Sequence, residues 1–335
     1  MKKILIVGYF GFENFGDEWL LKNLTELIKK TSLNKKKIYV LYNLKRHIKI
    51  NDVHYIPRWN PFLVLETLIK INTIIYCGGL FQDYTSLWSF FYYLFIFLCS
   101  KLFLKKILLL NTEFSFKRIP SVFIYLLCAI SDIVVFRNKI ELNKIKKYFK
   151  SSNKILFSPD ICYFESENID VIDVFKKEYS KICLILKSEP KELEFLKKFC
   201  KELSRENRLV FFPLHLKQDY KFSLEIAKGI KNCEIRIWDK VENYKNILED
   251  IDLIITSRLH GIIISDSLKI PFICISTQNK IKNLMLSIYN KDCVDIENIN
   301  FEKLNDLIVD PLRCNFNFKN EINNMFKYLS NLNYF

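Results

Sequence analysis

The feature that most constrains this chain is a rhythm. Short apolar runs rich in β-branched residues alternate with longer helical patterns almost from end to end. That alternation is the pattern of a parallel sheet covered by helices. In the first half the strand candidates are Ile4–Val7, Ile38–Leu41, Thr73–Tyr76, Ile107–Leu110, Ile133–Val135 and Ile155–Phe157, with helices predicted around Glu18–Lys30, Leu87–Phe103 and Asn138–Phe149. The rhythm then restarts with Ile182–Leu186, Leu209–Phe212, Glu234–Ile237, Leu253–Thr256 and Phe272–Ile275. A chain of 335 residues is long for one core and comfortable for two. The expected fold class is therefore α/β, with two Rossmann-like domains whose parallel sheets face a central cleft. The first domain is placed at 1–165 and the second at 166–315, with the polar, acidic stretch Pro159–Asp170 as the linker. Residues 316–335 are read as a C-terminal helix, Asn317–Leu332, packing back on the first domain.

Composition removes several classes of function. Half the residues are apolar, which excludes a disordered chain. The net charge is +14, but the lysines are spread along the chain among Asn, Ile and Phe. No Arg-rich block, zinc-finger spacing or RNA-binding aromatic signature accompanies them, so no specific nucleic-acid partner is expected. What remains is a general attraction to polyanions, including phosphorylated substrates and anionic lipid surfaces. The ten cysteines form no C-x-x-C pair and mostly lie in apolar stretches, so they read as buried reduced thiols of a cytoplasmic protein. The N-terminal run Ile4–Val7 meets Gly8, Glu13 and Asp17 without a small-residue cleavage site and reads as a strand, not a signal peptide. The aromatic segment Leu87–Leu98 is shorter than the roughly 20 residues of a spanning helix. It is read as a buried helix, with peripheral contact to the inner membrane face as the alternative.

Glycine is scarce, so its placement is informative. Six of the seven glycines fall in three places, each after a predicted strand: Gly8, Gly11 and Gly16; Gly78 and Gly79; and Gly261. Ligands of open parallel sheets bind outside the carboxyl ends of the strands. Glycine there allows a sharp turn or a close approach of backbone to ligand. The first loop runs from Gly8 to Glu18 and leads into a helix, whose N-terminus favours an anion. It matches neither the dinucleotide fingerprint nor a P-loop, which argues against a dehydrogenase. Asp17 reads either as a helix cap or as a site residue. The second loop, Gly78-Gly79-Leu80-Phe81-Gln82-Asp83, offers backbone amides with Gln82 and Asp83 as polar groups, or else a turn and a cap.

The third loop, Thr256-Ser257-Arg258-Leu259-His260-Gly261, carries the most specific chemistry. Alternation along an extended strand tip places Arg258 and His260 on the same side, at the start of the next helix. A guanidinium fork suits a carboxylate or phosphate, and the imidazole suits proton transfer. The chain has only four histidines. His215 follows another strand and is expected to line the site, whereas His47 and His54 read as structural.

Together and in this order, the three segments resemble the polysaccharide pyruvyl transferase family, whose members resemble GT-B glycosyltransferases. The family's loop G-x-x-G-x-x-N-x-G-D-E corresponds to Gly8–Glu18 and includes Gly11, Asn14, Gly16 and Asp17. Its G-G-x-x-Q-D segment corresponds to Gly78–Asp83, and its S-R-L-H motif to Ser257–His260. Weaker agreements are Ser86 with Tyr92-Tyr93, Arg137, Asp160, Pro213 with Asp219, and Pro271 followed by Lys280. Three departures stand out: Cys77 precedes the glycine pair, Asn111–Phe114 replaces a glycine-rich segment, and Asn138 stands where Asp is usual.

The resemblance implies phosphoenolpyruvate as donor and a sugar or lipid-linked saccharide as acceptor, with no cofactor and no metal. It implies anion binding by Arg258 and proton transfer by His260, with Arg137 and Lys280 as further cations. Asp17 or Asp83 would accept the hydroxyl proton. Ser257, Leu259 and the two glycine loops would contribute to substrate binding, the second domain taking the donor and the first the acceptor. A guanidinium and a helix N-terminus beside His260 both disfavour imidazolium until a phosphate arrives. The alternatives are a GT-B nucleotide-sugar glycosyltransferase and a catalytically inactive sugar-binding member of the family.

Overall fold

Continuous β-branched runs suit strands that helices cover on both faces. The computed structural model describes all residues except 1, 32–35, 44–49, 51, 83–85, 115–117, 119, 121, 150–152, 166–178, 277, 292, 296–305, 314–317, 333 and 335. Among the described residues two wholly parallel sheets form, of seven and five strands. The first has the order β3-β2-β1-β4-β5-β6-β7. Its strands are β1 (Lys3–Val7), β2 (Lys37–Tyr42), β3 (Val53–Pro57), β4 (Thr73–Cys77), β5 (Lys106–Thr112), β6 (Ile133–Phe136) and β7 (Ile155–Phe157). The second has the order β10-β9-β8-β11-β12. It comprises β8 (Lys181–Ile185), β9 (Arg208–Phe211), β10 (Cys233–Ile235), β11 (Leu253–Thr256) and β12 (Phe272–Cys274).

The chain divides into two compact units. The first comprises Met1–Phe12, Asp17–Phe164 and Phe318–Phe335; the second comprises Glu13–Gly16 and Glu165–Asn317. The C-terminal helix, Lys319–Asn331, belongs to the first unit. Its entry is fixed by Phe318 standing edge-on to Tyr163, with ring centroids 5.0 Å apart. Beyond the helix, the carbonyl of Tyr334 accepts a hydrogen bond from Thr73 Oγ1 at 3.0 Å.

The helices of the first unit are α1 (Phe15–Thr31, which joins this unit at Asp17), α2 (Pro61–Lys70), α3 (Leu87–Leu102), α4 (Val122–Ile130) and α5 (Lys139–Lys146). Helices α2–α5 follow crossovers that all run in one direction across the sheet, so right-handed connection puts them on one face and α1 on the other. Side chains of α2–α5 accordingly share one buried cluster with Leu5, Val7, Ile74 and Tyr76 of the central strands. The second unit contributes α6 (Leu193–Leu203), α7 (Gln218–Ala227), α8 (Tyr244–Ile247), α9 (Leu259–Leu268) and α10 (Asn279–Leu284).

Helices α2 and α4 were not among the predicted elements, and two further elements differ from the sequence reading. Strand β3 was not foreseen, because His54 and Pro57 interrupt its apolar pattern; as an edge strand it is only partly buried. Helix α3 is not a buried helix. Phe90, Tyr93, Ile96, Phe97 and Ser100 face the sheet, but the opposite face is apolar and open to solvent. No helix among the described residues is long and apolar enough to cross a membrane.

Strand order reverses between β1 and β4 in the first sheet and between β8 and β11 in the second. Those reversals are where parallel sheets bind ligands. The loops after β1, β4 and β11 are the three glycine loops.

Candidate functional site

In the second unit, three strand-end loops converge on one buried carboxylate. Asp219, in the first turn of α7, is fully buried. Its Oδ1 accepts from Ser188 N at 3.1 Å and pairs with Arg258 Nη2; its Oδ2 accepts from His215 N at 2.9 Å. The ends of β8, β9 and β11 are thereby tied together. Arg258 is the N-cap residue of α9, with extended backbone and its own N–H donating to Thr256 Oγ1 at 3.0 Å. Its Nε is buried and has no hydrogen-bond partner. The guanidinium is thus held at one nitrogen and unsatisfied at another.

The rest of the motif has defined work. Ser257 Oγ accepts from Lys187 N at 2.8 Å, clasping the β8 and β11 loops together. Leu259 is buried at the start of α9. The extended-tip geometry read from the sequence is corrected: β11 ends at Thr256 and α9 begins at Leu259, so His260 is placed by helical geometry. Gly261 lets the helix start hard against the strand tip, since a Cβ there would collide with Thr256 Oγ1. The His260 ring lies on Gly16, where a Cβ would fall inside the imidazole.

That contact follows from a pairing between distant segments. Asn14 forms an antiparallel bridge with His215. Phe15 N donates to Leu214 O at 2.8 Å, and Leu216 N donates to Glu13 O at 3.0 Å. The Phe15 ring stands edge-on to Phe212, Trp238 and Tyr244. Asn14, Gly16, His215 and His260 therefore belong to one constellation. Burial lowers the pKa of His215 and Arg258 assists, while Asp219 opposes. Its Nδ1 lies 3.3 and 3.4 Å from the N–H groups of Lys217 and Gln218, long bonds that cap α7. A neutral imidazole accepting at Nδ1 carries its proton on Nε2, a tautomer assigned from these partners.

In the first unit, the loop after β1 turns at Gly11, whose φ of +82° puts any Cβ against the Asn43 carbonyl. Gly11 N donates to Glu18 Oε1 at 2.6 Å, and Tyr42 OH to Oε2 at 3.3 Å. Burial raises the Glu18 pKa to about 8 against the pull of the Gly11 hydrogen bond. Asp17 precedes it in the first turn of α1, its Oδ1 3.8 Å from the Cβ position of Gly78. The Gln82 amide lies over Gly79, 2.3 Å from where a Cβ would stand. Asp83 lies outside the described residues, as does His47.

Arg137 is committed elsewhere. Its guanidinium is shared between Asp160 Oδ2 at 2.9 Å and the Glu113 carboxylate. Burial works to lower its pKa, but the two carboxylates outweigh burial and raise it. Asn111, with φ +56°, completes the group by donating to Asp160 Oδ2 at 3.1 Å and accepting from Ile161 N at 3.2 Å. The segment that departs from the glycine-rich pattern thus supplies two members of a buried polar network. Asn138 caps α5, its Oδ1 accepting from Ile140 N at 2.8 Å, a task Asn and Asp perform equally. Lys280 is half-buried in the first turn of α10.

A family model described as polysaccharide pyruvyl transferase matches residues 14–279. The chain belongs to the polysaccharide pyruvyl transferase family. The match contains the S-R-L-H motif, the Gly78–Gln82 loop and the Asp219 hub, while Gly8, Gly11 and Lys280 lie outside it. None of the curated proteins compared with the chain matches it. Among solved structures, UDP-GlcNAc 2-epimerase from Neisseria meningitidis bound to UDP-GlcNAc is similar, with TM-score 0.67, 12% identity and 99% of each chain covered. S. aureus MnaA with UDP aligns with TM-score 0.65 and 13% identity, covering 99% of this chain and 98% of the other. MurG of Acinetobacter baumannii aligns with TM-score 0.50 and 12% identity, covering 99% and 95%. At these identities the likeness shows the GT-B-like fold alone.

Sequence reasoning missed two residues of this pyruvyl transferase family member's loops. In the sequence Glu18 is only the end of a motif, and its burial follows from Gly11 folding back over it. Arg58, just after β3, is buried among the rings of Phe12, Trp59, Tyr92 and Tyr93, at 4.9 to 5.4 Å. Its Nη2 donates to Tyr93 OH at 2.6 Å. No motif spacing marks it, but aromatic pairs on either side of it in space, such as Tyr92-Tyr93, were a signal available in the sequence.

Proposed function

We propose that this family member transfers pyruvate from phosphoenolpyruvate to a hydroxyl pair of a cell-surface polysaccharide unit or its lipid-linked precursor, forming a cyclic ketal. The observation that carries the reading is Arg258, half-buried and paired with the buried Asp219, with an unsatisfied Nε, two residues from His260 at the N-terminus of α9. The second unit takes the donor and the first unit the acceptor. Arg258 holds an anionic group of phosphoenolpyruvate, aided by the dipole at the N-terminus of α9 and by Lys280. The neutral His215 donates from Nε2 to the same anion, with Asn14, Gly16, Ser257 and Leu259 shaping the pocket.

His260 delivers a proton to the methylene carbon, and positive charge develops at the adjacent carbon. A sugar oxygen bonds to that carbon and gives up its proton, for which Asp17 is the assigned base. The carbon–oxygen bond to phosphate then breaks, and the second sugar oxygen closes the ring, its proton passing back to His260. One donor and two hydroxyls become a ketal and inorganic phosphate with no net change in oxidation state, so no redox cofactor is required. Gly11, Gly78, Gly79, Gln82 and Asp83 are assigned to the acceptor, and Arg137 to positioning. Phosphoenolpyruvate is a cytoplasmic metabolite, so the reaction is placed on the cytoplasmic side.

The test is thermal stabilisation by phosphoenolpyruvate. A ligand that binds only the folded state stabilises it by about 2.7 kcal/mol at a hundredfold excess over its dissociation constant. Wild type should gain a higher Tm that Arg258→Ala abolishes, while His260→Ala should keep binding and lose turnover. The likeness to a UDP-GlcNAc 2-epimerase solved with UDP-GlcNAc and to MnaA solved with UDP favours a second reading, a nucleotide-sugar enzyme. Stabilisation by a UDP-sugar and none by phosphoenolpyruvate would establish that reading instead.

A further inference from the structure

Helix α3 exposes Trp88, Phe91, Phe95, Leu98 and Leu102, a stripe spaced by three and four residues along one face. Trp88 is 88% exposed and Leu102 77%. The helix on either side extends the face: α2 exposes Phe62 and Ile69, and α4 exposes Val122 and Leu126. The three helices are neighbours. Trp59, just before α2, lies 5.5 Å from Tyr92 of α3, and Lys101 of α3 donates to the carbonyl of Ile130, the last residue of α4, at 3.3 Å. A contiguous apolar face of this extent is a binding surface, not incidental exposure.

Charge decides the occupant. The three helices carry a single acidic residue, Glu66, which is paired with Lys70 one turn later. Helix α5 lies next to α4, with Tyr148 at its end 4.4 Å from Tyr125. It presents exposed Lys139, Lys144 and Lys146, and its C-cap residue Lys147 is also exposed. A flat face of tryptophan, phenylalanine and leucine flanked by lysines is complementary to an anionic bilayer, where apolar rings enter the interface and lysines meet the head groups. A second copy would bury the same rings but, in a two-fold pairing of this face, would bring one lysine flank close to the other.

We propose that the outer face of α2, α3 and α4 docks on the surface of an anionic phospholipid bilayer, with the α5 lysines as its electrostatic flank. The docking is peripheral and does not depend on which reaction the protein catalyses. The test is co-sedimentation of the full chain with phosphatidylcholine vesicles, with and without phosphatidylglycerol. Wild type should sediment with the anionic vesicles and remain largely in solution with the zwitterionic ones. The combined variant Trp88→Ser, Phe95→Ser and Leu98→Ser changes exposed side chains only, so its Tm should match wild type while its bound fraction falls about tenfold or more. The fluorescence of Trp88 should shift to the blue on vesicle binding, and Trp88→Phe should remove that shift. Three results would overturn the proposal: wild type failing to sediment with anionic vesicles, the variant sedimenting as well as wild type, or a wild-type dimer that the variant converts to monomer. The last would assign the face to a second copy of the chain.

Discussion

Gly16 has room for a hydrogen atom and nothing larger, because the His260 imidazole lies on its backbone. Gly16→Ala should therefore push the ring aside without touching the core. Displacing a reacting group by about an ångström costs on the order of a hundredfold in rate. The expected result is a similar loss of turnover with a Tm close to wild type; full turnover in the variant would mean that His260 is not held there during catalysis. Glu18 makes a different kind of residue-scale prediction. Burial lifts its pKa from 4.5 to about 8, so the folded protein keeps the proton over a range where the unfolded chain loses it. With fewer protons bound in the unfolded state, stability falls as pH rises between those two values. Glu18→Gln mimics the protonated acid and keeps an acceptor for Gly11 N. Melting curves should agree near pH 5 and separate toward pH 8, with wild type the less stable; a gap that does not change with pH would show that the carboxyl ionises normally.

At the scale of elements, the polar network at the carboxyl ends of β5 and β6 is a structural device. Arg137→Met would leave Glu113 and Asp160 buried without the cation they share. Breaking a buried pair from one side costs about 3–5 kcal/mol, and urea denaturation should show a loss of that size. A loss below about 1 kcal/mol, the range of exposed ion pairs, would mean that the carboxylates are solvated. The strands themselves were legible because β-branched apolar runs are a local signal, and the observed strands fall on the predicted ones within a residue or two. β3 was not legible because an edge strand need not be apolar on both faces. Glycine scarcity marked the three loops correctly, but not what each glycine accommodates. Gly261 answers to Thr256 a few residues away, whereas Gly16 answers to a side chain far along the sequence.

For the whole molecule, the net charge of +14 is diffuse in sequence and acquires a location only on folding. Helix α5 and its C-cap gather four of the lysines beside helices that carry almost no acid. The same holds for α3. It is apolar around its whole circumference, so periodicity gives no indication of which face is buried, and such a helix reads as core. Packing against β4 and β5 takes one face and leaves the other outside.

The sequence by itself determined two parallel α/β sheets, the loops after β1, β4 and β11, and the family to which those loops belong. Each of these is written in short windows, as strand periodicity, glycine placement or a contiguous motif. Only the tertiary structure decided that Glu13–Gly16 pairs with Leu214–Leu216, that Asp219 orients Arg258, and that Arg137 is taken by Glu113 and Asp160. Those are meetings between residues distant in the chain. Which partner a charged side chain finds depends on where the folded backbone carries it, and that is fixed by the packing of whole elements.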